Sequence, residues 1–423
     1  MHTDLSADSI RTRKPDLPKV MLATTCHLPS TARLAVAFAQ AEGVVSAVHP
    51  GSHPLDATSA LSASFPYSAR SPLRALQSAI ERAEPDFIIP CDERAVRHLH
   101  RLQAETDSVV VRSLIERSLG DPAGYKAATT RHDLLMVARA QGVPVPDSAT
   151  VSSLDDLKQL ATARPFPWVV KADGSWAGFG VRIVHNLAEA EAAYLKMNLP
   201  VPLSLVMREA LVERDYFWAQ PWLQRQRPAI SVQSFIVGRP ANCAVACWQG
   251  EVLAGIAVEV VDAEYANGPS TVVRAVEGGQ MLDAARKVVS ALGMSGMVGF
   301  DFMIEAATGT HYMIEMNPRN TPITHVNLGA DRDLVEGLLA QIAGRSPRNR
   351  PPVTEQDLIV FFPHTWQHDP SSIFLNTGYH DVPWQEPQLV RELVQPEMRE
   401  RYWTMRALRQ VWLTAQRVRK SKK

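Results

Sequence analysis

The sequence predicts an α/β domain followed by an α+β region, and three observations carry this prediction. Strand-like apolar runs alternate with helix-like segments between residues 19 and 120, a pattern typical of a parallel sheet. Between residues 165 and 320, strand-like runs are separated by short turns, which indicates antiparallel sheets. The chain has 423 residues, so two or three domains are expected rather than one core.

The expected division of the chain follows these changes of pattern. A flexible arm comprises residues 1–18, and a Rossmann-like parallel-sheet domain comprises residues 19–120. Residues 121–200 and 201–345 form two α+β subdomains, and the second carries the hairpin described below. Residues 346–423 form a C-terminal extension that ends in a basic helix.

In the first domain, the runs KVMLATT, VVSAVHP and DFIIPCDE predict strands. The helix after the first strand is expected to be capped by Ser30 or Thr31 and to end at Gly43. A second helix is expected after Ser71, with Pro72 at its first position. No glycine fingerprint follows the first strand, so a dinucleotide site is not expected there.

In the α+β region, WVVK and VRIV are predicted to be strands around a glycine-rich loop. The runs ISVQSFIVGRP, ANCAVACWQGEV and LAGIAVEVV predict an antiparallel sheet. Helices are predicted over residues 121–143 and in QMLDAARKVVSALG, which ends at Gly293. A further helix, DRDLVEGLLAQIAG, is expected to be capped by Asp331 or Asp333.

The composition indicates a globular protein without a strong charge preference. Apolar residues make up 46% and charged residues 21%, and 44 basic residues balance 44 acidic ones. This balance gives no general attraction to nucleic acid or to an anionic membrane. We expect neither a membrane span nor a signal peptide, because no apolar run is long enough and the N-terminus is polar. Four cysteines without a Cys-x-x-Cys spacing favour a reduced, cytoplasmic setting.

The stretch GFDFMIEAATGTHYMIEMNPRN, residues 299–320, predicts a β-hairpin with acids at positions where a buried hairpin would carry apolar side chains. Side chains alternate in a strand, so the expected core face consists of Phe300, Phe302, Ile304, Tyr312, Ile314 and Met316. A three-residue loop, 307–309, with Gly309 in the left-handed position, would place Asp301 directly opposite Glu315. A two-residue loop would mix the two faces, so the apolar pattern favours the three-residue loop.

Two carboxylates that face each other destabilise a sheet, so something must offset the repulsion. Asp301, Glu315 and the amide oxygen of Asn317 form an all-oxygen set suited to Mg²⁺ or Mn²⁺. Arg319, two residues further on, could hold a phosphate or a carboxylate through two hydrogen bonds. The alternative interpretation is a solvated hairpin face with ordinary surface acids.

A glycine-rich loop lies in WVVKADGSWAGFGVRIV, residues 168–184. Gly174, Gly178 and Gly180 would let backbone amides approach phosphate oxygens, and Lys171 ends the preceding strand. The loop is not a Walker loop, because no Gly-Lys-Ser/Thr occurs and a strand follows it. Taken alone it could be an ordinary glycine-rich hairpin, and Lys126, at a helix start, could be a surface lysine.

In this order, the features resemble the ATP-grasp superfamily over residues 19–343, of the carboxylate–amine or carboxylate–thiol ligase type that includes proteins similar to carbamoyl phosphate synthetase and biotin carboxylase. The most specific part is the acid strand followed by Glu-x-Asn-Pro-Arg in residues 299–320. The resemblance implies two α+β subdomains that clasp ATP between antiparallel sheets.

The resemblance also implies roles for matching residues. The lysines that contact the nucleotide phosphates correspond to Lys126 and Lys171, and the loop that closes over them corresponds to Gly174, Ser175, Gly178 and Gly180. The metal-binding residues correspond to Asp301, Glu315 and Asn317. Arg319 resembles the arginine that stabilises a phosphate or acyl phosphate, and together with Lys171 it is the expected catalytic residue.

The segment AQPWL, residues 219–223, resembles the hinge that contacts adenine through backbone groups. The expected contacts come from Gln220, Pro221, Trp222 and Leu223, with the Pro221 carbonyl and the Leu223 N–H reading the base. The following segment, QRQRPAISV, lacks the glycine and acid usual in the family, which puts the ribose contacts in doubt. Asp301 stands where a glutamate is more usual.

The resemblance implies an ATP-dependent, ADP-forming ligase with ATP and Mg²⁺ (or Mn²⁺) as cofactors. A carboxylate would be activated as an acyl phosphate and then attacked by an amine or another nucleophile. One alternative is bicarbonate activation, as in carboxylases and carbamoyl phosphate synthesis, although the chain has no biotinyl-lysine motif, glutaminase or duplicated half. A second alternative is an ATP-binding sensor without catalysis, for which the clustered acids would have no use.

The expected partners are small-molecule acid and amine substrates, with no nucleic acid. Asp92 and Glu93, at the end of a parallel strand, could hold an amino group. Ser270, Thr271 and Arg274 are further candidates, and Arg274 could hold a carboxylate. Residues 396–423 predict an amphipathic basic helix, which either docks on the protein or contacts an anionic membrane or an acidic partner. Homodimers are common in the family that the chain resembles, so a homodimer is a further expectation.

Overall fold

The structure is a computed structural model that describes residues 17–173, 180–208, 210, 218–264 and 268–395. Within these ranges the strands form one parallel sheet and two predominantly antiparallel sheets, which confirms the predicted mixture of α/β and α+β architecture. Most of the predicted N-terminal arm, the centre of the glycine-rich loop and the predicted basic C-terminal helix lie outside the described residues.

The first sheet is parallel, with the strand order β3-β2-β1-β4. Its strands are β1 (Lys19–Ala23), β2 (Val44–His49), β3 (Leu61–Pro66) and β4 (Phe87–Pro90). Its helices are α1 (Pro29–Gln40), α2 (Pro72–Ala83), α3 (Glu93–Glu105) and α4 (Val109–Leu119). Strand β3 was not predicted, because only one of its side chains is buried and its apolar signal is weak.

The predicted helix caps of this domain are only partly correct. Helix α1 begins at Pro29, and the residue before it, Leu28, makes no side-chain cap, so the expected cap by Ser30 or Thr31 is wrong. Helix α2 does begin at Pro72 after Ser71, but the Ser71 hydroxyl makes no capping hydrogen bond. A proline at the first helical position needs no partner for its missing N–H, so both helices begin without a side-chain cap.

The second sheet is antiparallel, with the order β5-β8-β6-β7. Its strands are β5 (Ser148–Val151), β6 (Trp168–Ala172), β7 (Val181–Val184) and β8 (Ile230–Ser234). The predicted helix over residues 121–143 is divided into a 3₁₀ turn, α5 (Tyr125–Thr129) and α6 (Arg131–Ala140). Helices α7 (Leu154–Ala163) and α8 (Leu187–Met197) pack on the sheet around Trp168. Strand β8 lies after the boundary expected at residue 200 but pairs with β5 and β6.

The third sheet has the order β13-β12-β9-β10-β11-β14-β15. Its strands are β9 (Gly238–Trp248), β10 (Glu251–Ala263), β11 (Ser270–Val276), β12 (Gly296–Glu305), β13 (His311–Asn317), β14 (Leu358–Val360) and β15 (Tyr379–His380). The last two strands come from the C-terminal extension. That segment is therefore part of the sheet rather than separate, because its apolar run pairs with β11.

The two faces of the third sheet bury different cores. One face packs on α11 (Gly279–Ala291) and contains Phe300 and Phe302. The other face packs on α12 (Leu334–Ile342), which Asp333 caps as predicted, and on helix α1 of the first domain. The remaining helices are α9 (Leu203–Arg208), α10 (Ala219–Leu223), α13 (His364–His368) and α14 (Pro387–Leu393).

Candidate functional site

The hairpin of β12 and β13 places Asp301 directly opposite Glu315, as the sequence predicts. The route to this pairing differs from the prediction. Glu305 bonds to Thr310, so the loop comprises the four residues 306–309 and not three. A β-bulge between the Asp301 pair and the Phe302 pair then restores the register, because Ile314 is left without a partner on β12. Gly309 adopts the expected left-handed conformation, with φ of 70°.

The bulge also changes which side chains of β13 enter the core. Met313 and Met316 are both buried and pack with Phe300 and Phe302. The predicted core positions Tyr312 and Ile314 are only partly buried. A bulge inserts one residue, so residues three apart face the same way and the simple alternation fails.

Asp301 is partly buried, and Glu315 lies directly opposite it. Its two oxygens accept hydrogen bonds from the side-chain amides of Asn242 at 2.5 Å and of Asn317 at 3.2 Å. Burial, and then the charge of Glu315, raise the pKa of Asp301 from its usual 3.8 to about 6. The raised pKa indicates that this carboxylate would gain from a cation that the protein itself does not supply.

Glu315 is held by an arginine that the sequence analysis did not identify. Arg131, the first residue of α6, donates to Glu315 Oε1 at 2.9 Å and to the Ala172 carbonyl at 2.7 Å. The same guanidinium lies 3.7 Å from Asp173, the residue before the glycine-rich loop. Burial would lower the pKa of Arg131, but the charge of Glu315 outweighs it and raises the pKa. An arginine at a helix start has no distinctive sequence signal, so only the folded chain reveals it.

Lys171, at the end of β6, points at the bulge of the hairpin. It is buried, and its ammonium group lies 3.4 Å from the Ile314 carbonyl. Burial lowers the pKa of Lys171 from 10.5 to about 8, although Glu315 opposes the change. The predicted lysine and the predicted acids therefore come together, and among the described residues no carboxylate is within ion-pair distance of the ammonium group.

Arg319 joins the hairpin to the first domain. Its Nε donates to Glu93 Oε1 at 2.7 Å, and its Nη2 lies 2.5 Å from the same oxygen. Its Nη2 also donates to Asn317 Oδ1 at 3.1 Å, and its Nη1 donates to the Asn320 carbonyl at 2.9 Å. Burial tends to raise the pKa of Glu93, but the Arg319 guanidinium outweighs this and lowers it.

Asp92 and Glu93, the residues expected to hold an amino group, both make contacts within the chain. Asp92 is buried and caps α3 by accepting from the Ala95 amide at 2.9 Å. It also accepts from Thr24 Oγ1 and from both the amide and the hydroxyl of Thr25. These hydrogen bonds join the end of β4 to the end of β1 and to the first turn of α3, so they stabilise the fold. Glu93 holds a guanidinium rather than an amine.

The candidates on β11 lie away from this site. Strands β9 and β10 separate β11 from β12, which corresponds to about 14 Å across the sheet. Arg274 pairs with Asp357, and Thr271 is buried and donates to Asp262. The structure does not bring Ser270, Thr271 or Arg274 to the hairpin acids.

Two further predictions concern the nucleotide. Residues 219–223 form helix α10 instead of an extended hinge, the Pro221 carbonyl accepts from the Gln226 amide, and Leu223 is 72% exposed. The Pro221 carbonyl, which was expected to read adenine, is thus already hydrogen-bonded within the chain, and Leu223 lies at the surface. The Gln220 side chain lies outside the described atoms, and Trp222 lies within the same helix.

The remaining phosphate-site predictions are only partly described. Lys126 is 88% exposed and lies 4.0 Å from Asp133, so the structure does not bring it to the hairpin acids. Gly174, Ser175 and Gly178 lie outside the described residues. Gly180 is described, and its carbonyl accepts from the Ala172 amide at the base of the loop.

The residue types at the hairpin fit a magnesium ion, but the Asn317 amide nitrogen faces Asp301 and its oxygen accepts from Arg319, so this amide would have to turn to bind the metal through its oxygen. Among the described residues, no group of three or more His, Cys, Asp or Glu side chains is placed to hold a metal, so the set has two carboxylates and depends on the Asn317 amide oxygen. Carboxylate and amide oxygens are the ligands that Mg²⁺ prefers, and it usually keeps open positions for water and phosphate. A bound cation would favour the charged form of Asp301 and so lower its raised pKa.

A comparison with known protein families finds a match over the part of the chain that contains this site. Residues 131–331 match the family described as carbamoyl-phosphate synthase L chain, ATP binding domain. The carbamoyl phosphate synthase large chain of Thermotoga sp. (strain RQ2) is 25% identical over 255 residues, which cover 58% of this chain and 21% of the relative. The matched region thus spans about a fifth of that relative's length.

Solved structures share the architecture. The biotin carboxylase domain of the Hydrogenobacter thermophilus 2-oxoglutarate carboxylase, in complex with MgADP, ADP and bicarbonate, has a TM-score of 0.56 at 15% identity, over 79% of this chain and 71% of that one. The L-amino acid ligase from Bacillus licheniformis has a TM-score of 0.51 at 15% identity, over 79% of this chain and 76% of that one. At such identities the likeness establishes the fold alone. Every helix among the described residues is too short or too polar to traverse a lipid bilayer.

Proposed function

We propose that the chain is an ATP-dependent, ADP-forming ligase of the ATP-grasp superfamily, because residues 131–331 match the family described as carbamoyl-phosphate synthase L chain, ATP binding domain. The observation that carries this proposal is the pairing of Asp301 with Glu315, beside Lys171, Arg131 and Arg319. A carboxylate substrate would be phosphorylated on one oxygen by the γ-phosphoryl group of ATP, which releases ADP. An amine or another nucleophile would then attack the acyl carbon and release inorganic phosphate.

The residues of the site supply charge and position, because the reaction needs no covalent bond to the protein. Asp301, Glu315 and Asn317 would hold Mg²⁺, with Mn²⁺ as an alternative, and the metal would neutralise phosphate charge when bound. Lys171 places a buried ammonium beside the hairpin, where hydrogen bonds and charge act in a medium of low dielectric. Arg131 bonds to Glu315, and it would be available to a phosphate when a metal takes that carboxylate.

Arg319 would stabilise the acyl phosphate, because its guanidinium is fixed by Asn317 and Asn320. We assign the glycine-rich loop, including Gly174, Ser175, Gly178 and Gly180, to closure over the phosphates, which would keep water from the reactive intermediate. Lys126 remains a proposed phosphate contact, which would require α5 to approach the hairpin. Residues 219–223 are proposed to contribute to adenine binding only after their helical bonds rearrange.

The proposed organisation assigns each part of the chain a task. The parallel-sheet domain, residues 19–120 with a Rossmann-like arrangement, would hold the substrates next to Arg319. Residues 121–200 and 201–345 would enclose ATP, and residues 346–423 would complete the third sheet. A cytoplasmic location and a homodimer are further proposals, supported by the sparse cysteines and by the dimer described for the 2-oxoglutarate carboxylase domain.

The test is release of inorganic phosphate from ATP and Mg²⁺ by the full chain, across a panel of acids with and without amines. Formation of ADP and phosphate that depends on both an acid and an amine supports the ligase. Formation of AMP and pyrophosphate overturns it. The absence of phosphate release with any acid, together with measurable ATP binding, favours a sensor.

Bicarbonate activation is the second candidate, and a specific observation favours it. The matching relative is a carbamoyl phosphate synthase large chain, and the biotin carboxylase domain was solved with bicarbonate. Phosphate release that requires bicarbonate, and that no organic acid replaces, would select this function. The similar fold of the L-amino acid ligase supports an organic acid as the substrate instead.

A further inference from the structure

The guanidinium of Arg319 presents one edge to the first domain. Its Nη1 donates to the Asn320 carbonyl, and its Nη2 donates to Asn317 Oδ1, so the plane of the group is fixed. The edge formed by Nε and Nη2 points at Glu93 of helix α3. Nε and Nη2 are the pair of nitrogens that clamps a carboxylate with two parallel hydrogen bonds.

Glu93 uses this edge incompletely. Both contacts, 2.7 Å from Nε and 2.5 Å from Nη2, end on the same oxygen, Oε1. A carboxylate that approaches freely can place one oxygen on each nitrogen, which is the stronger arrangement. The Glu93 side chain is also 43% exposed, whereas the Arg319 side chain is 19% exposed. A ligand from solution can therefore reach the carboxylate that holds Arg319.

We propose that Glu93 is an internal stand-in for the substrate's carboxylate. It occupies the Nε–Nη2 edge of Arg319 until the acid substrate takes that edge with both of its oxygens. The proposal rests on the proposed function, because it assumes an acid substrate. It adds to the predicted role of Arg319 a side chain that competes with the substrate for the same edge.

Helix α3 provides a place for Glu93 after it is displaced. Arg97 lies one turn further along α3 and is exposed. Partial burial lowers the pKa of Arg97, and the nearby charge of Glu93 opposes this change. A glutamate four residues before an arginine on a helix is a favourable pair. Glu93 can therefore leave Arg319 without losing a cationic partner.

The substitution Glu93→Gln tests this competition without nucleotide and without turnover. Acetate is titrated into the full chain, and the Arg319 Nε–H resonance reports binding. Removing the competing charge should lower the acetate concentration for half-saturation by about tenfold. The fold should persist because Asp92, not Glu93, caps helix α3. Glu93→Ala is a second variant with the same expected gain.

The matched control is Glu386→Gln, which removes a carboxylate that accepts from Ser59 elsewhere on the surface. Acetate binding should not change in this control, and Arg319→Lys should abolish the gain in the Glu93→Gln background. If Glu93 only positions Arg319, its removal will weaken acetate binding, and this result overturns the proposal. A gain with inorganic phosphate but none with acetate also overturns it, because the edge then receives a phosphoryl group. A chain that binds acetate as expected but never turns over ATP would refute the ligase and leave the competition intact.

Discussion

Two acids in this molecule, the partly buried Asp301 and the buried Glu336, have opposite surroundings. Glu336, on α12, is 1% exposed and accepts hydrogen bonds on both oxygens from Arg345 and Arg348. Burial tends to raise its pKa, but these guanidinium groups lower it from 4.5 to about 2. Asp301 accepts only from two neutral amides and faces Glu315, and its pKa rises to about 6.

This difference separates an acid that stabilises the fold from an acid that awaits a ligand. Around Glu336 the chain supplies the compensating charge, so no external cation would improve the site. Around Asp301, burial and the charge of Glu315 outweigh the charge of Arg319, and perturbed carboxylates of this kind concentrate at functional sites. The following predictions test the comparison, from the largest expected effect to the smallest.

The largest effect is expected on turnover when a hairpin acid is neutralised. Glu315→Gln or Asp301→Asn should lower the rate of phosphate release by about a hundredfold or more, because oxygen ligands and their charge are lost from the proposed metal site. The free energy of unfolding should stay the same or rise in Asp301→Asn, because a repulsion between opposed carboxylates is removed, and it should fall in Glu315→Gln, because the ion pair with Arg131 is weakened. Turnover is measured by phosphate release and stability by denaturant titration. Wild-type turnover in both variants would contradict the metal assignment.

Glu336→Gln should have the opposite effect. The free energy of unfolding should fall by about 2 kcal/mol, because buried Glu336 loses its charge, although Arg345 and Arg348 are partly exposed and Arg348 keeps Glu42 as a counter-ion. Phosphate release per folded molecule should remain at the wild-type level. The exposed Glu355 provides the control, since Glu355→Gln should leave the denaturation midpoint unchanged. An equally small effect for both variants would show that Glu336 is not a stabilising acid.

The pH dependence of stability should identify the same residue. The pKa of Glu336 is lower in the folded chain than its usual 4.5, so its contribution is fully present above about pH 4.5. The contribution is lost as the pH falls from there toward about 2. The difference in unfolding free energy between wild type and Glu336→Gln should therefore be constant from about pH 5 to 7 and shrink below it. A difference that grows as the pH falls would reverse the sign and refute the assignment.

The smallest effect is expected at the hairpin loop. Gly309 has φ of 70°, which an L-residue adopts with strain, so Gly309→Ala should lower the unfolding free energy by about 1 kcal/mol. Gly279, in the first turn of α11, has space around it and no positive φ, and Gly279→Ala should be neutral or stabilising. Thermal melting of the two variants measures the difference. Equal melting temperatures would show that the loop does not need the left-handed conformation.

The sequence was sufficient to predict the meeting of the two hairpin acids, but not how they meet. A four-residue loop alone would have shifted the register by one residue, and the bulge at Ile314 shifts it back. The prediction reached the correct pair because these two differences cancel. A bulge depends on the local twist and on the neighbouring strand β9, neither of which alternation of side chains records.

Other parts of the site depend on contacts that are remote in the sequence. Arg131 meets Glu315 across 184 positions, and Arg319 meets Glu93 across 226. Asp92 attracted attention because it ends a parallel strand, yet its bonds to Thr24, Thr25 and Ala95 are structural. An acid at a strand end can cap a helix or bind a ligand, and only its hydrogen-bond partners distinguish the two. The helical form of the predicted hinge was missed for a related reason, because a short segment such as AQPWL can satisfy its backbone within a helical turn.

Strand β14 has a consequence for the solubility of shortened chains. It pairs with Val272, Val273 and Arg274 and so covers the outer side of β11. A chain truncated before residue 358 would expose the backbone of STVVRAV as a sheet edge, a segment rich in β-branched residues. Such an edge recruits strands from other molecules, whereas β15, with two residues, leaves little to pair with. By covering β11, strand β14 of the extension should reduce aggregation through this sheet edge, which is remote from the hairpin acids.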